Sequence, residues 1–176
     1  ARKRVFQDIE FKAGESVLFV GVGTGADIDQ VPYNSLKVTA IDFSEDMLNQ
    51  ARKKYEGEKI EFIQMDAQSM NLPDNTFDYV IGSLILTVVP DGKKALDEMT
   101  RVTKYGGQIV VFDKFVDGKK ELSLSKRLIR PLIRLLGTDI GLTFESISKE
   151  TKNIRLIERK DLLFNGMYQK IVLIKG

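Results

Sequence analysis

The sequence predicts an α/β fold with a seven-stranded, mostly parallel sheet, helices on both faces and one antiparallel strand in a C-terminal hairpin. Over residues 16–113, short apolar runs alternate with segments in which apolar residues recur at helical spacing. Such alternation is typical of stacked βαβ units, whose strands run parallel. Near the C-terminus, two strand-like runs are separated by Asn165-Gly166, a dipeptide that favours a tight hairpin turn.

The predicted elements follow one another along the whole chain. Apolar runs predict strands at residues 16–22, 36–42, 59–65, 77–83, 106–113, 154–164 and 167–176. Apolar side chains fall on one face of two segments, which predicts helices at residues 44–55 and 91–104. Ser44 can cap the first of these helices, and Gly106 marks the entry into the fifth strand.

Composition excludes several classes of site. The formal net charge of +2 is too small to indicate nucleic acid as a partner. Because the chain has no cysteine and no histidine, disulfides, thiol nucleophiles, Ser–His catalysis and zinc sites built on these residues are excluded, and we expect no metal. Neither a signal peptide nor an apolar run approaching about 18 residues is present, so we expect a cytoplasmic protein.

A glycine-rich turn follows the first predicted strand in the string "VLFVGVGTGADI", residues 17–28. Gly21-x-Gly23-x-x-Ala26 matches the dinucleotide-binding fingerprint, and Asp42 follows Gly21 by 21 positions, where an acid would hold ribose hydroxyls. The same string also fits the G-x-G-x-G turn of folds that bind S-adenosylmethionine (SAM). The turn and the acid alone leave both ligands open, as well as a tight turn with no ligand.

Downstream motifs favour SAM. The strings "AIDFSEDML", "MDAQSMNLPDNTFD", "VVPD" and "TRVTKYGGQIVVFD" follow "GVGTG" in order. Over residues 17–113 the chain thereby resembles the class I SAM-dependent methyltransferases, a Rossmann-like fold whose last strand is reversed. It is most similar to the ubiquinone/menaquinone and bacterial phosphatidylethanolamine N-methyltransferase type. The resemblance implies SAM as cofactor and S-adenosylhomocysteine as product.

The resemblance also implies a set of cofactor-binding residues. The glycine turn would lie under the methionine part of SAM and its link to the ribose; its residues are Gly21, Val22, Gly23, Thr24 and Gly25. Asp42 would accept hydrogen bonds from both ribose hydroxyls, since an ionised carboxylate offers two oxygens. The adenine would lie against Phe43 and Met47, with its polar edge on the Asp66 carboxylate and the Ala67 N–H. Ser83 and Leu84 would line the methionine amino group and the point of methyl transfer.

Several of these residues have structural alternatives. Asp66 can cap the turn that follows it, Met47 can be part of the core, and Ser83 can simply end its strand. Asp78, within the fourth strand, is interpreted as structural rather than catalytic.

A general base is needed only if the acceptor arrives protonated. Asp113, at the end of the fifth strand, is the predicted candidate, with Tyr33 as a weaker one; the alternative for Asp113 is a strand-end cap. The fourth strand ends in "GSLILT". It therefore lacks the Asn/Asp-Pro-Pro-aromatic string of relatives that methylate exocyclic amines of bases or glutamine amides.

We expect one domain over residues 1–176, with residues 120–150 as a helical insertion that shapes the acceptor site. The first predicted strand begins as early as Ser16, so we expect a short or missing N-terminal lid. The segment "KRLIRPLIRLLG", residues 126–137, separates basic from apolar side chains on a helical projection. That pattern suits peripheral contact with an anionic membrane, or an ordinary helix that packs its apolar face on the sheet.

The sequence thus predicts a SAM-dependent methyltransferase that acts on a small-molecule or lipid-like acceptor, with a phospholipid amine or a quinone precursor favoured. Two alternatives stay open. One is a non-catalytic SAM-binding module that acts through a partner, and the other is an NAD-binding oxidoreductase.

Overall fold

A computed structural model describes residues 2–115, 142–163 and 167–176. Seven strands form one sheet in the spatial order β3-β2-β1-β4-β5-β7-β6. The strands are β1 (Ser16–Val20), β2 (Lys37–Asp42), β3 (Ile60–Gln64), β4 (Phe77–Ser83), β5 (Thr103–Lys114), β6 (Ile154–Leu163) and β7 (Tyr168–Lys175). Strands β1 to β5 pair in parallel, and β7 runs antiparallel to both β5 and β6. The predicted fold class, with one reversed strand, is confirmed.

Four α-helices accompany the sheet in the described ranges: α1 (Arg2–Phe6), α2 (Glu45–Lys54), α3 (Gly92–Val102) and α4 (Phe144–Ser148). Two short 3-10 helices, Ile28–Gln30 and Tyr33–Ser35, lie between β1 and β2. Ser44 caps α2 as predicted, since its Oγ accepts from the Met47 N–H at 3.3 Å. Asp91 caps α3 in the same way, through the Lys94 N–H at 3.1 Å.

Two predicted strand boundaries differ from the structure by more than one residue, and the predicted helix 91–104 ends at Val102. The first strand ends at Val20 because Gly21 turns the chain with φ +68°. The fifth strand begins at Thr103 rather than Gly106, since Thr103 already pairs with Phe77 of β4 before the register shifts. The glycines of this strand therefore lie inside its irregular first part rather than ahead of it.

Each face of the sheet carries its own core, because successive side chains along a strand point to opposite faces. On one face, Leu18 and Val20 belong to a cluster with Met99 of α3 and Phe144 of α4. On the other face, Phe19 packs in a cluster that includes residues of α1 and α2. Helices on both faces, as predicted, leave the strand ends at the two edges of the sheet.

The C-terminal hairpin is present as antiparallel pairing of β6 with β7, from Ile154 opposite Lys175 to Leu163 opposite Tyr168. The predicted Asn165-Gly166 turn lies outside the described residues, as does the basic segment 126–137. Of the predicted insertion 120–150, only residues 142–150 are described. Within the described ranges, no helix has the length and apolar character needed to cross a membrane.

Arg101, in the last turn of α3, ties the loop before β4 to the helix. Its guanidinium donates to both carboxylate oxygens of Glu98 at 2.8 and 2.9 Å, and to the carbonyl oxygens of Met70 and Leu72 at 2.8 and 2.7 Å. Glu98 also accepts from the Met70 N–H at 2.6 Å. The adjacent guanidinium lowers the pKa of Glu98 below its ordinary value of 4.5.

We expect Glu98→Gln to lower the free energy of unfolding at pH 7 by about 1–3 kcal/mol, because hydrogen bonds to a charged group are lost. A carboxyl with a lowered folded-state pKa stabilises the fold above its unfolded-state pKa, and this stabilisation is lost as the pH falls below it. Denaturant titrations should therefore show the difference from wild type shrinking below about pH 4.5. Exposed Glu56→Gln is the control, and a difference that does not shrink would contradict this account.

Candidate cofactor-binding site

The carboxyl ends of the parallel strands lie along one edge of the sheet, where open α/β sheets bind their ligands. Strand β1 lies between β2 and β4, so the glycine turn after β1 has Asp42 on one side and Ser83 on the other. Asp66 follows β3, and Asp113 lies near the end of β5. The topology therefore brings the predicted site residues to one edge.

The three glycines of the turn all have positive φ, of +68° at Gly21, +55° at Gly23 and +84° at Gly25. A Cβ at Gly21 would lie 2.8 Å from Ile85 Cδ1, and a Cβ at Gly25 would lie 2.6 Å from Tyr55 Cε2. At Gly23 a Cβ would meet no heavy atom within 4 Å. A side chain at Gly21 or Gly25 would thus meet a protein neighbour, whereas Gly23 faces open space.

Asp42 holds this turn against the end of β2. Its Oδ2 accepts from the Gly23 N–H at 2.8 Å, and its Oδ1 accepts from the Ser44 N–H at 2.9 Å. Each carboxylate oxygen can accept more than one hydrogen bond, so the half-buried Asp42 keeps capacity for a ligand. The carboxylate links the glycine turn to the start of α2.

Phe43 and Met47 offer an apolar surface beside Asp42. Phe43 is 76% exposed and Met47 is 43% exposed. Exposure of this extent contradicts the alternative that Met47 is a core residue. A flat ring left in solvent next to a hydrogen-bonding carboxylate is suited to stacking on an aromatic base.

Asp66 caps the turn that follows it, as the structural alternative proposed. Its Oδ1 accepts from the Gln68 N–H at 2.8 Å and from Gln68 Nε2 at 3.1 Å. These hydrogen bonds, the backbone one foremost, lower the pKa of Asp66 and keep it ionised. The neighbouring Ala67 is buried. An ionised Asp66 still has accepting capacity on Oδ2, so capping and ligand binding are compatible.

The end of β4 carries two unusual features. Ser83 Oγ is buried, and no hydrogen-bond partner for it lies in the described parts of the chain. Leu84 has φ +55°, which is uncommon for a non-glycine residue, and its N–H donates to the Phe112 carbonyl at 2.7 Å. A buried hydroxyl without a partner and a strained residue beside it are both typical of functional sites.

Asp113 is fully buried and its carboxylate is occupied by protein donors. Oδ1 accepts from Thr87 Oγ1 at 2.5 Å and from the Lys114 N–H at 2.7 Å, while Oδ2 accepts from the Leu86 N–H at 2.8 Å. Burial raises the pKa of Asp113. This geometry favours the structural alternative, a strand-end cap, over the predicted general base.

Two further residues singled out in the sequence have structural contacts. Tyr33 packs edge-on against Tyr55, with ring centroids 5.6 Å apart. Asp78 accepts from the Ser16 N–H at 2.9 Å and from Lys104 Nζ at 2.9 Å. It therefore ties β1 to β4 and β5, which is the structural role favoured by the sequence.

Comparison with known proteins identifies the family. A family described as a methyltransferase domain matches residues 18–111. The chain belongs to the SAM-dependent methyltransferase family. The cofactor of this methyltransferase is SAM, and the dinucleotide interpretation of the glycine turn is not supported.

Two relatives and one solved structure illustrate the similarity. Phosphatidylethanolamine N-methyltransferase of Cereibacter sphaeroides is 30% identical over 171 residues, which cover 95% of this chain and 83% of that protein. Demethylmenaquinone methyltransferase of Clavibacter sepedonicus is 39% identical over 100 residues, 56% of this chain and 41% of that protein. A SAM-dependent methyltransferase from Mesorhizobium loti shares the fold, with a TM-score of 0.77 and 14% identity over 99% of this chain and 98% of that one.

Three features of this sheet edge leave room or hydrogen-bonding capacity for a ligand. Gly23 faces open space, Asp42 has accepting capacity, and Ser83 has a buried hydroxyl without a partner in the described residues. No group of three or more histidine, cysteine, aspartate or glutamate residues that could hold a metal occurs in the described ranges.

Tyr55 supports the glycine turn, although the sequence predicted it only as the last residue of a helix. Its hydroxyl lies 2.7 Å from both the Gly25 carbonyl oxygen and Asp29 Oδ1. Burial and the neighbouring Asp29 raise the pKa of Tyr55, so the hydroxyl stays protonated. No local signal could reveal this contact, since Tyr55 and Gly25 are 30 positions apart in the chain.

We expect Tyr55→Phe to weaken SAM binding by about twofold to tenfold, because a neutral hydrogen bond contributes about 0.5–1.5 kcal/mol. The ring would still fill the space behind Gly25, so the fold should persist. Isothermal titration calorimetry with SAM measures the effect. Tyr105→Phe, at an exposed residue near the amino end of β5, is the matched control. Equal SAM affinities for the two variants would show that the Tyr55 hydroxyl does not support the turn.

Proposed function

We propose that this methyltransferase transfers a methyl group to a lipid-like amine of the phosphatidylethanolamine class. The observation that carries the proposal is the extent of one match. The similarity to the Cereibacter sphaeroides phosphatidylethanolamine N-methyltransferase covers 95% of this chain and 83% of that protein. A quinone precursor is the second candidate, favoured by the 39% identity with a demethylmenaquinone methyltransferase, of which the chain spans 41%.

In this proposal the predicted residues hold SAM at the sheet edge. The glycine turn, Gly21 to Gly25, lies under the methionine and ribose. The accepting capacity of Asp42 supports a ribose contact, and the exposed rings and chains of Phe43 and Met47 support an adenine contact. Asp66 and Ala67 would receive the polar edge of the adenine.

Ser83 and Leu84 mark the proposed point of methyl transfer. The buried Ser83 hydroxyl would gain a partner from the methionine amino group. Beyond it, Leu84 is 36% exposed and Val88 is 57% exposed. These apolar side chains would lie against the apolar part of the acceptor. Residues 142–150 are the described part of the predicted insertion. Among them, Phe144 packs against Phe115, just beyond β5. This contact supports the proposal that the insertion helps to shape the acceptor site at this edge of the sheet.

SAM would supply a methyl group activated by a cationic sulfur, with S-adenosylhomocysteine as the leaving group when the acceptor bonds to the methyl carbon. The residues of the chain therefore act by binding, orienting and excluding water, and such positioning can lower a barrier by roughly 7–11 kcal/mol. A phospholipid amine that arrives neutral needs no general base. This agrees with an Asp113 carboxylate that is already occupied by four protein donors.

Transfer from SAM with a radiolabelled methyl group tests the proposal. Phosphatidylethanolamine in mixed micelles and demethylmenaquinone are offered separately, with Asp42→Ala, which should bind SAM weakly, as the low-activity control. We expect label in the phospholipid. Label in demethylmenaquinone alone would establish the second candidate, and SAM binding without transfer to either acceptor would favour a non-catalytic SAM-binding module.

A further inference from the structure

The loop that follows β4, residues 84–89, lies between the proposed transfer point and α3. We call it the β4 loop. It begins at the strained Leu84, and Ile85 reaches back under the glycine turn, where its Cδ1 lies 2.8 Å from the position of a Cβ on Gly21. The Ile85 carbonyl accepts from the N–H groups of Val88 and Val89 at 3.1 and 3.0 Å. A shift of the β4 loop would therefore move both the transfer point and the wall of the SAM turn.

Asp113 anchors this loop from the neighbouring strand. Its Oδ2 accepts from the backbone N–H groups of Leu86 and Thr87 at 2.8 and 3.3 Å, and its Oδ1 accepts from the Thr87 hydroxyl at 2.5 Å. Leu86 is itself fully buried in the core. Two consecutive residues of the loop are thus attached to one side chain, which fixes both the position and the orientation of the peptide between them.

The groups around the buried Asp113 carboxylate indicate its role in the β4 loop. In the described ranges it forms no ion pair, and its charge is balanced by hydrogen-bond donors alone, three of which come from the β4 loop. Burying a carboxylate without a cation is unfavourable unless its oxygens are hydrogen-bonded. The conformation of the β4 loop and the position of the buried Asp113 carboxylate therefore depend on each other.

We propose that Asp113 is a positioning residue for methyl transfer, which holds the β4 loop so that Ser83 and Leu84 face the transfer point. The inference rests on the proposed assignment of these two residues to that point. Asp113 does not exchange a proton with the acceptor. Its contribution passes through Leu86 and Thr87, and it affects the transfer point more than it affects SAM binding at β1 and β2.

Three variants test this proposal. Asp113→Asn keeps the shape of the side chain but replaces one carboxylate oxygen, an acceptor, with an amide NH2 group, a donor that would face N–H groups. Thr87→Val removes the hydroxyl that donates to Asp113, and Thr87→Ser retains it as the conservative rescue. The measurements are kcat and the KM for SAM with the acceptor that wild type methylates, SAM affinity by calorimetry, and amide hydrogen exchange at Leu86 and Thr87.

We expect Asp113→Asn to lower kcat at least tenfold and SAM affinity by a smaller factor, since small displacements at a reacting centre have large effects on rate whereas Ile85 and Ser83 form only part of the proposed SAM site. Exchange at the two amides should accelerate. Thr87→Val should lower kcat several-fold, and Thr87→Ser should restore it. If Asp113→Asn fails to fold, the comparison of the two Thr87 variants tests the proposal. The ratio of variant to wild-type rates should stay constant between pH 6 and 9.

Three results would overturn the inference: unchanged amide exchange in Asp113→Asn, accelerated exchange with unchanged kcat, or a pH–rate profile that loses one limb, as removal of a general base would produce. Absence of transfer by wild type to both phosphatidylethanolamine and demethylmenaquinone is a different outcome. It would refute the proposed function, and the inference would fall with it.

Discussion

We expect Asp42→Ala to lower the affinity of the methyltransferase for SAM by at least about 100-fold. The variant loses the hydrogen bonds to the ribose that we propose, each of which involves a charged acceptor and contributes about 1.5–3 kcal/mol. It also releases the Gly23 N–H, which now donates to Asp42 Oδ2 at 2.8 Å. Calorimetric titration of the purified variant with SAM measures the loss.

The nearby carboxylate of Asp46 provides the matched control. Asp46 lies in the first turn of α2, four positions beyond Asp42, and its side chain is exposed. We expect Asp46→Ala to leave SAM affinity within about twofold of wild type, since a screened surface charge contributes little. A SAM affinity in Asp42→Ala equal to that of wild type would show that the ribose assignment is wrong.

The second large effect is expected at Gly25. A left-handed conformation at φ +84° costs a side-chain-bearing residue about 1–2 kcal/mol, and the new Cβ would lie 2.6 Å from the Tyr55 ring. Overpacking of this kind adds about 1–3 kcal/mol. Gly25→Ala should therefore lower the free energy of unfolding by about 2–5 kcal/mol and displace the SAM turn.

Two other glycines separate the contributions to this effect. Gly14 has the same φ of +84°, but a Cβ there would have no neighbour within 4 Å, so Gly14→Ala should show the backbone cost alone. Gly23→Ala should lose less stability than Gly25→Ala yet weaken SAM binding, because its Cβ would enter the open space that we assign to SAM. Denaturant unfolding and calorimetry on the three variants measure both quantities. Equal stability losses at Gly14 and Gly25 would exclude the Tyr55 contact as a cause.

Much of the fold was predictable because its signals are local. The Asn165-Gly166 dipeptide between two apolar runs predicted antiparallel strands, which pair as β6 and β7. Ser44 predicted the start of α2. The position of the candidate cofactor-binding site was also predictable, since the carboxyl ends of parallel strands meet at one edge of the sheet. The chemical identity of the ligand did not follow from the glycine turn, which fits two cofactors equally well.

The supporting contacts could not be predicted, because they join residues that are distant in the chain. Asp113 gains its donors from Leu86 and Thr87, 27 and 26 positions earlier. From the sequence its carboxylate looks available at a strand end, and only the folded chain shows it occupied. Tyr55 similarly gains its importance from a turn 30 positions away. Such roles depend on which strands become neighbours, and therefore on the whole topology.

Calorimetric titration of the wild-type chain with SAM, S-adenosylhomocysteine and NADH is the most direct test of the central claim, that the turn after β1 is a SAM site. We expect saturable binding of one SAM per chain, competition by S-adenosylhomocysteine, and no binding of NADH. Tight binding of NADH without binding of SAM would contradict the account.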